Sequence, residues 1–236
     1  MLLLVCNRNR RVPAGKGCDG VKIKGKPAAQ NGDKHLDSRD QPHYCSPSGG
    51  ASPSYPCVAG STVVSQAIVD CLPVLVRDGI RLREVHLSDA AALTALFQMP
   101  DVSKHLDPPP ATIADFGSWI ALSQSRRAER RAACYTLLTG KDEVTGLFMA
   151  LRFENEDRAE IGFAIAPQLW GTGVFSKAIE VYLDFLFNEW GVKTLIGKTQ
   201  VANVRALGAM RKVGARVVEQ HVRNGHPEYV WTIERT

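Results

Sequence analysis

A glycine-containing turn in front of an amphipathic segment is the part of this sequence best suited to ligand chemistry. Gly171, Thr172 and Gly173 follow the apolar run AEIGFAIA and lead directly into a segment with helical periodicity. The first turn of a helix has amide groups without an intrahelical acceptor, and the helix dipole adds partial positive charge there. Glycines also let the backbone approach a ligand closely. The turn therefore predicts a phosphate or pyrophosphate site, with a plain strand-to-helix connection as the alternative.

The spacing around this turn excludes two common nucleotide-binding motifs. No third glycine stands where a Rossmann fingerprint requires it, and no Gly-Lys-Ser/Thr follows as in a Walker loop. The net charge of +5 fits an anionic ligand, and nucleic acid is not the expected partner. The apolar runs are shorter than the roughly 20 residues that span a bilayer, so we expect no membrane partner.

Composition divides the chain into a tail and a patterned domain. Residues 1–71 are rich in Gly, Pro, Ser and charge and have no sustained periodicity, which predicts a disordered tail. A basic arm that contacts RNA and translation from an upstream start are alternatives. Residues 72–236 form the predicted domain. The six cysteines include no Cys-x-x-Cys pair, so we expect a reducing cytoplasm and no metal site, with His35, His43 and Cys45 as a metal-binding alternative.

The elements that position the glycine turn are read from periodicity, which begins near Leu72. LPVLVRDGIRLREV alternates around an Asp78-Gly79 turn and predicts a β-hairpin. Ser88 is the predicted N-cap of a first helix, and a second helix starts near Thr112.

The second half of the chain alternates strands and helices. Two strands precede RAEIGFAIA, and the helix after the glycine turn places Phe175, Ile179, Tyr182 and Leu186 on one face. The strand KTLIGKTQV, a short helix closed by Gly214 and a hairpin turning at Asn224-Gly225 complete the chain. The predicted fold class is α/β, with a mixed, mostly antiparallel central sheet flanked by helices.

The order of these elements and the residues around the turn resemble the GNAT superfamily of N-acetyltransferases, and within it the RimJ/RimL-type branch. The resemblance covers about residues 72–235 and is carried by IRLREVHLSDAAAL, AEIGFAIAPQLWGTGVFSKAI and VANVRALGAMRKVGA. The matching positions are Pro167, Trp170, Gly171, Gly173, Asn203, Lys212 and Gly214.

Two alignments of the loop motif are available. The superfamily pattern Gln/Arg-x-x-Gly-x-Gly/Ala fits literally when it is counted from Gln168. Counting from Pro167 instead puts Trp170 at the Gln/Arg position and Phe175 at the final Gly/Ala position. We adopt the second alignment because Trp-Gly-x-Gly is typical of the branch. Phe175 is then a bulky ring where a small residue is usual, and Lys177 stands where an acidic residue is common.

The resemblance implies direct transfer of an acetyl group from acetyl-CoA to an amine in a ternary complex. The strand GFAIA would separate from KTLIGKTQV and offer free backbone groups to pantetheine and to the oxyanion. Asn203 would lie near pantetheine, with a role as helix N-cap as the equal alternative. The predicted acetyl-CoA-binding residues are Phe163, Ala164, Ile165, Ala166, Trp170, Gly171, Thr172, Gly173, Val174, Phe175, Ser176 and Asn203.

Proton transfer is the second chemical requirement, because an acceptor amine must lose a proton before it attacks. The resemblance implies that Glu160 is the base; the alternative is a carboxylate paired with Arg152 or Arg158. No side-chain acid is evident, since Met210 replaces a common Tyr and Ala206 a common Ser. The CoA thiolate would then leave as an anion.

Four functions remain open from the sequence. They are acetylation of a protein N-terminus, acetylation of a small amine such as a polyamine, amino acid or aminoglycoside, acyl-CoA binding without catalysis, and a ribosome-associated role for the basic tail. The acceptor would contact the first two helices and the final hairpin, where His105, His221 and His226 line the site or serve as surface and packing residues. A homodimer is also left open.

Overall fold

The computed structural model describes residues 71–154 and 156–235. The predicted disordered tail lies outside these ranges apart from Cys71, and so does the alternative metal-binding group of His35, His43 and Cys45. Among the described helices, none has the length and apolar character needed to span a bilayer.

Strands and helices alternate through the described residues in nearly the predicted order. Two short 3-10 turns, Leu87–Asp89 and Pro167–Leu169, and one short helix, α2, are additional to the prediction. The elements are β1 Leu75–Arg77, β2 Ile80–Glu84, α1 Ala90–Gln98, α2 Pro100–Ser103, α3 Ile113–Ala128, β3 Ala132–Thr139, β4 Glu143–Arg152, β5 Arg158–Ile165, α4 Val174–Asn188, β6 Thr194–Gln200, α5 Val204–Lys212, β7 Arg216–Arg223 and β8 His226–Glu234.

The eight strands of the described residues form one sheet in the order β1-β2-β3-β4-β5-β6-β8-β7. Neighbouring strands are antiparallel except β5 and β6, which run parallel. This confirms the predicted α/β fold with a mixed, mostly antiparallel sheet.

Local turn chemistry accounts for both predicted hairpins. Asp78 and Gly79 have φ of 47° and 78°, and Asn224 and Gly225 have φ of 48° and 79°. Positive φ at both central residues matches the twist of antiparallel strands, so these pairs fix the register of β1–β2 and β7–β8. Both hairpin predictions are confirmed.

The starts of the first two long helices differ in how well the sequence predicts them. The Thr112 hydroxyl accepts a hydrogen bond from the Asp115 amide at 3.1 Å, so α3 begins as predicted. The prediction for Ser88 is wrong, because that residue lies inside a 3-10 turn and α1 begins at Ala90. The cause is Asp89, whose carboxylate accepts a hydrogen bond from the His86 amide at 2.9 Å. This bond closes the 3-10 turn that precedes α1.

The sheet has a separate apolar core on each face. Helix α4 packs Ile179, Tyr182 and Leu186 onto one face, as its periodicity predicted, and α5 joins them there. Helices α1 and α3 cover the other face with Phe97 and Phe116. Strand β5 contributes side chains to both cores, with Ile161 on the α4 side and Ala164 on the α1 side.

Strands β5 and β6 pair over only the start of their length. The parallel register runs from Arg158 opposite Thr194 to Glu160 opposite Ile196, although β5 continues to Ile165 and β6 to Gln200. The predicted separation of these strands is confirmed. We call the gap between residues 161–165 and 197–200 the β5–β6 opening.

Candidate active site

The glycine turn connects β5 to α4 with the backbone geometry that the two glycines permit. Gly171 and Gly173 have φ of 77° and 86°, which side-chain-bearing residues rarely adopt. Gly173 is the N-cap of α4, and the Thr172 hydroxyl accepts a long hydrogen bond, 3.5 Å, from the Val174 amide. The other amides of the first turn of this 15-residue helix have no acceptor within the helix, and they lie at the positive end of its dipole. This arrangement suits a phosphate.

Trp170 holds the turn against the sheet. Its indole N–H donates to the Ile165 carbonyl at 3.0 Å, and the Thr172 hydroxyl donates to the Leu169 carbonyl at 2.7 Å. The first bond ties the loop to the end of β5, and the second fixes the path between the two glycines. The loop is therefore held in place by its own polar groups.

Arg205 is a site residue that the sequence reading missed. Its guanidinium lies 4.3 Å from the centroid of the Trp170 ring, a cation–π contact between α5 and the loop. It brings a positive charge to the loop that leads into α4. No local pattern predicts this contact, because the two residues meet only when α5 packs beside the turn.

Phe175 departs from the family pattern but is well accommodated. Its ring centroid lies 4.8 Å from that of Phe163 and 6.4 Å from that of Phe148, and it turns toward the sheet rather than the loop. The bulky ring therefore fills space below the first turn of α4. Lys177 lies on the exposed side of the same helix, and its amide donates to the Gly173 carbonyl at 3.3 Å.

The free edge of β5 is shorter than the sequence predicted. The Ala166 amide donates to the Thr145 carbonyl at 2.8 Å, so the backbone N–H and C=O of Ala166 point toward β4. The backbone groups of Ala164 point the same way, because every second residue of a strand bonds to the same neighbour. The prediction that all backbone groups from Phe163 to Ala166 are free is therefore wrong for these two residues. The backbone groups of Phe163 and Ile165 point toward the β5–β6 opening, and the Ile165 carbonyl already accepts a hydrogen bond from the Trp170 indole N–H.

Glu160 lies at the last paired position before the β5–β6 opening. Its Oε2 accepts a hydrogen bond from Lys198 Nζ at 3.0 Å, and only 14% of its side chain is exposed. The two predicted partners lie elsewhere, because Arg152 stacks on Trp190 at 4.6 Å and Arg158 pairs with Glu156. Lys198, which the sequence reading did not consider, fixes one carboxylate oxygen at the mouth of the opening.

The residues of α5 and its N-cap that match functional positions of the family have structural roles. Asn203 Oδ1 accepts the Ala206 amide at 3.0 Å, so Asn203 caps α5, the alternative role predicted for it. Met210 is 2% exposed and Ala206 is 8% exposed. Met210 packs against Gly197, where an added Cβ would lie 2.7 Å from its methyl carbon. The described residues also hold no cluster of His, Cys, Asp or Glu suited to a metal ion.

A series of polar side chains continues from Glu160 across one sheet face. Lys198 and Gln200 alternate on β6, Glu228 lies opposite Gln200, and His221 lies opposite Glu228. Directly opposite residues share a face, so these five side chains form what we call the polar row. His221 belongs to it and His105 contacts it, whereas His226 is exposed at the hairpin turn.

Comparisons with known proteins agree with this architecture. Residues 80–216, more than half of the chain, match the acetyltransferase (GNAT) domain. The chain is 24% identical over 139 residues to the uncharacterized N-acetyltransferase p20 of Bacillus licheniformis, covering 58% of this chain and 78% of that protein.

Two solved structures illustrate the shared fold. RimJ of Mycobacterium smegmatis, in complex with CoA-disulfide, aligns with a TM-score of 0.60 at 17% identity, over 69% of this chain and 86% of that one. The ribosomal-protein-S5-alanine acetyltransferase of Vibrio fischeri aligns with a TM-score of 0.63 at 10% identity, over 69% and 97%. At these identities the likeness concerns the fold.

The chain belongs to the GNAT family of acetyltransferases. It is an acyltransferase, as the domain match and its N-acetyltransferase relative indicate.

Proposed function

We propose that this protein transfers an acetyl group from acetyl-CoA to a primary amine, with the N-terminus of a protein as the first candidate acceptor, as in RimJ/RimL-type enzymes. The observation that carries the proposal is the β5–β6 opening, which has the glycine turn at one end and Glu160 at the other. Acetylation of a small amine is the competing function. We assign the activity to residues 72–236 and expect the tail to be dispensable for it.

The cofactor would lie along the opening with its phosphates at the glycine turn. The amides from Gly171 to Ser176 and the Arg205 guanidinium supply positive charge for the pyrophosphate. The backbone of Phe163 and the Ile165 amide are the groups on β5 that face pantetheine and the thioester. Within the predicted set, the side chains of Trp170 and Phe175 support the loop, and Asn203 supports α5.

The reaction requires a side chain of the protein to accept one proton from the acceptor amine. Glu160 takes one proton from the acceptor ammonium, and the free amine then forms a C–N bond to the acetyl carbon. As the C–S bond breaks, the nitrogen releases its second proton to solvent, which leaves a neutral amide. The thiolate leaves as an anion because its pKa is low enough. A backbone amide of β5 would donate to the carbonyl oxygen as negative charge develops on it.

A cytoplasmic location is part of the proposal. The two described cysteines, Cys71 and Cys134, are unpaired. Burial raises the pKa of the Cys134 thiol to about 12, so that thiol is inert as a nucleophile near neutral pH. Free cysteines of this kind are usual in reducing compartments.

An acceptor-dependent thiol-release assay tests the function directly. Acetyl-CoA is offered with a panel of N-terminal peptides, amino acids, polyamines and aminoglycosides, and free CoA thiol is measured. We expect release to depend on the acceptor and the acetylated amine to appear by mass spectrometry. Tight acetyl-CoA binding with no release of thiol for any acceptor would contradict the proposed transfer to an amine.

The Gly173→Val variant tests the glycine turn as the phosphate site. We expect its Kd for acetyl-CoA to rise about 10- to 100-fold, because a β-branched residue disfavours positive φ and covers amides that bond a charged group. Binding is measured by calorimetry with acetyl-CoA.

Gly79→Val is the matched control for that variant. Gly79 has a φ of +78°, close to the +86° of Gly173, and an added Cβ meets nothing within 4 Å at either position. Both variants therefore carry the same kind of backbone strain, but Gly79 lies in the β1–β2 turn. Equal acetyl-CoA affinity in the two variants would return the Gly173 turn to a plain connection.

A further inference from the structure

Glu228 is a buried carboxylate on β8 whose partners do not balance its charge. It is 1% exposed, and its Oε2 lies 3.4 Å from Nε2 of His221. Within the described part of the chain, that oxygen receives no hydrogen bond. A buried carboxylate is costly unless a hydrogen-bonded cation accompanies it, and histidine is a cation only when protonated. The environment of Glu228 is therefore short of a positively charged donor.

The other side chains of the polar row do not supply that donor. Lys198 directs its ammonium to Glu160, at 3.0 Å. Gln200, directly opposite Glu228, has its Oε1 3.3 Å from Nδ1 of His105. The far side of His221 faces another carboxylate, since its Nδ1 lies 3.5 Å from Glu219. The end of the row around Glu228 thus has an excess of negative charge.

The segment after α2 approaches this end of the row. His105 contacts Gln200. Asp107 forms an ion pair with Arg223 at 2.6 Å and accepts a hydrogen bond from Nδ2 of the Asn224 side chain at 3.3 Å. These contacts hold the segment against the last hairpin. Gln200 is among the β6 residues that border the β5–β6 opening, and Glu228 lies directly opposite it on β8.

We propose that Glu228 and Gln200 form a subsite for a positively charged group of the acceptor, so that the preferred acceptor carries a second cation besides the reacting amine. The proposal rests on the proposed acetyl transfer for the reacting amine. Gln200 lies four residues beyond Ile196, the partner of Glu160, and Glu228 is one strand further, which separates the two carboxylates by roughly 15 Å. The acceptor is therefore an extended dication, either a long diamine or an N-terminal segment with a basic side chain.

Matched acceptors that differ by one charge test the subsite. Wild-type protein is assayed with octamethylenediamine against octylamine, and with N-terminal peptides containing lysine against the same peptides containing norleucine. We expect kcat/KM at least about 10-fold higher for the dicationic member of at least one pair. A hydrogen bond between charged groups strengthens binding by about that factor. The pair that shows the difference identifies the source of the acceptor. Equal kcat/KM within both pairs would overturn the proposal.

The Glu228→Gln variant assigns the preference to this carboxylate. We expect it to raise KM for the dication about 10-fold, to leave kcat and the monoamine reaction nearly unchanged, and so to abolish the discrimination. Glu219→Gln is the control, because Glu219 contacts the same histidine but is 64% exposed. Thermal unfolding establishes that each variant is folded. A variant that slows both acceptors equally, or that retains the preference, contradicts the subsite.

Calorimetry separates failure of the subsite from failure of the proposed reaction. Octamethylenediamine is titrated into wild-type protein saturated with CoA, where no turnover occurs. Binding that Glu228→Gln weakens supports the subsite even if no acceptor is acetylated, in which case the proposed acetyl transfer is wrong. Absence of diamine and lysine-peptide binding to a protein that does acetylate monoamines overturns the subsite alone.

Discussion

In the Glu160→Gln variant we expect kcat/KM to fall about 100-fold, because the acceptor ammonium loses the carboxylate that takes its proton. Glutamine keeps the size of the side chain and can still contact Lys198, which lies 3.0 Å from Oε2 in the native protein. The loss therefore reports on proton transfer more than on packing. Acetyl-CoA affinity should change little, since the phosphates are expected at the other end of the opening.

The pH profile distinguishes a base from a residue that only shapes the site. The dependence of kcat/KM on pH should differ between the wild type and the variant, because only the wild type has the carboxylate that takes the acceptor proton. Glu156→Gln is the control, because Glu156 pairs with Arg158 outside the opening and should leave the profile unchanged. A pH profile of kcat/KM that is unchanged in Glu160→Gln would assign the base elsewhere.

The features that the sequence predicted correctly depend on neighbours along the chain. The Asp78-Gly79 and Asn224-Gly225 turns adopt positive φ because of their own residue types. Gly214 likewise has a φ of 73° just after α5, where a helix C-terminus needs such a residue. These local rules, together with apolar periodicity, were sufficient for the fold class and for nearly every element.

The features that the sequence did not predict depend on register between distant segments. Lys198 reaches Glu160 across 38 positions of sequence, and only the parallel pairing of β5 and β6 brings them to one face. Arg205 meets Trp170 because α5 packs beside the glycine turn. Reading Arg152 or Arg158 as the partner of Glu160 relied on proximity in sequence, which sheet topology overrides. The glycine turn and the separation of β5 from β6 were thus predictable, whereas the pairing of charged side chains around them was not.

The Phe175 departure shows how the same loop accepts different residues. In the adopted alignment a small residue is usual at this position, and a ring pointing at the loop would block the phosphate. The ring instead packs on Phe163 at 4.8 Å, beneath the amides. The aromatic cluster thereby links the start of α4 to β5, the strand that would carry the thioester. We therefore expect a change in the packing of these two rings to disturb both the loop and the proposed cofactor site.

The largest expected loss of stability comes from Asp89→Ala. The Asp89 carboxylate is 2% exposed and accepts two hydrogen bonds from Arg83 at 2.7 Å and one from the Thr136 hydroxyl at 2.9 Å. Removing it leaves the Arg83 guanidinium without its buried partner, so the free energy of unfolding should fall by about 3–5 kcal/mol. Urea denaturation measures it. The exposed Asp101→Ala, which loses only a 3.5 Å pair with Lys104, should stay within about 0.5 kcal/mol of wild type.

The stabilisation by Asp89 should depend on pH in a defined direction. Burial alone would raise its pKa, but the hydrogen bonds from Arg83, the His86 amide and Thr136 outweigh burial and hold the pKa below its ordinary value of 3.8. A carboxyl whose pKa is lowered in the folded state stabilises the fold above its unfolded pKa and loses that effect as pH falls through the folded value. The stability difference between wild type and Asp89→Asn should therefore be full near neutral pH and shrink below about pH 4. A difference that stays constant down to acid pH would mean that Asp89 acts through shape and not through its charge. In that case the ion pair with Arg83 would not be the interaction that holds β2 against the start of α1.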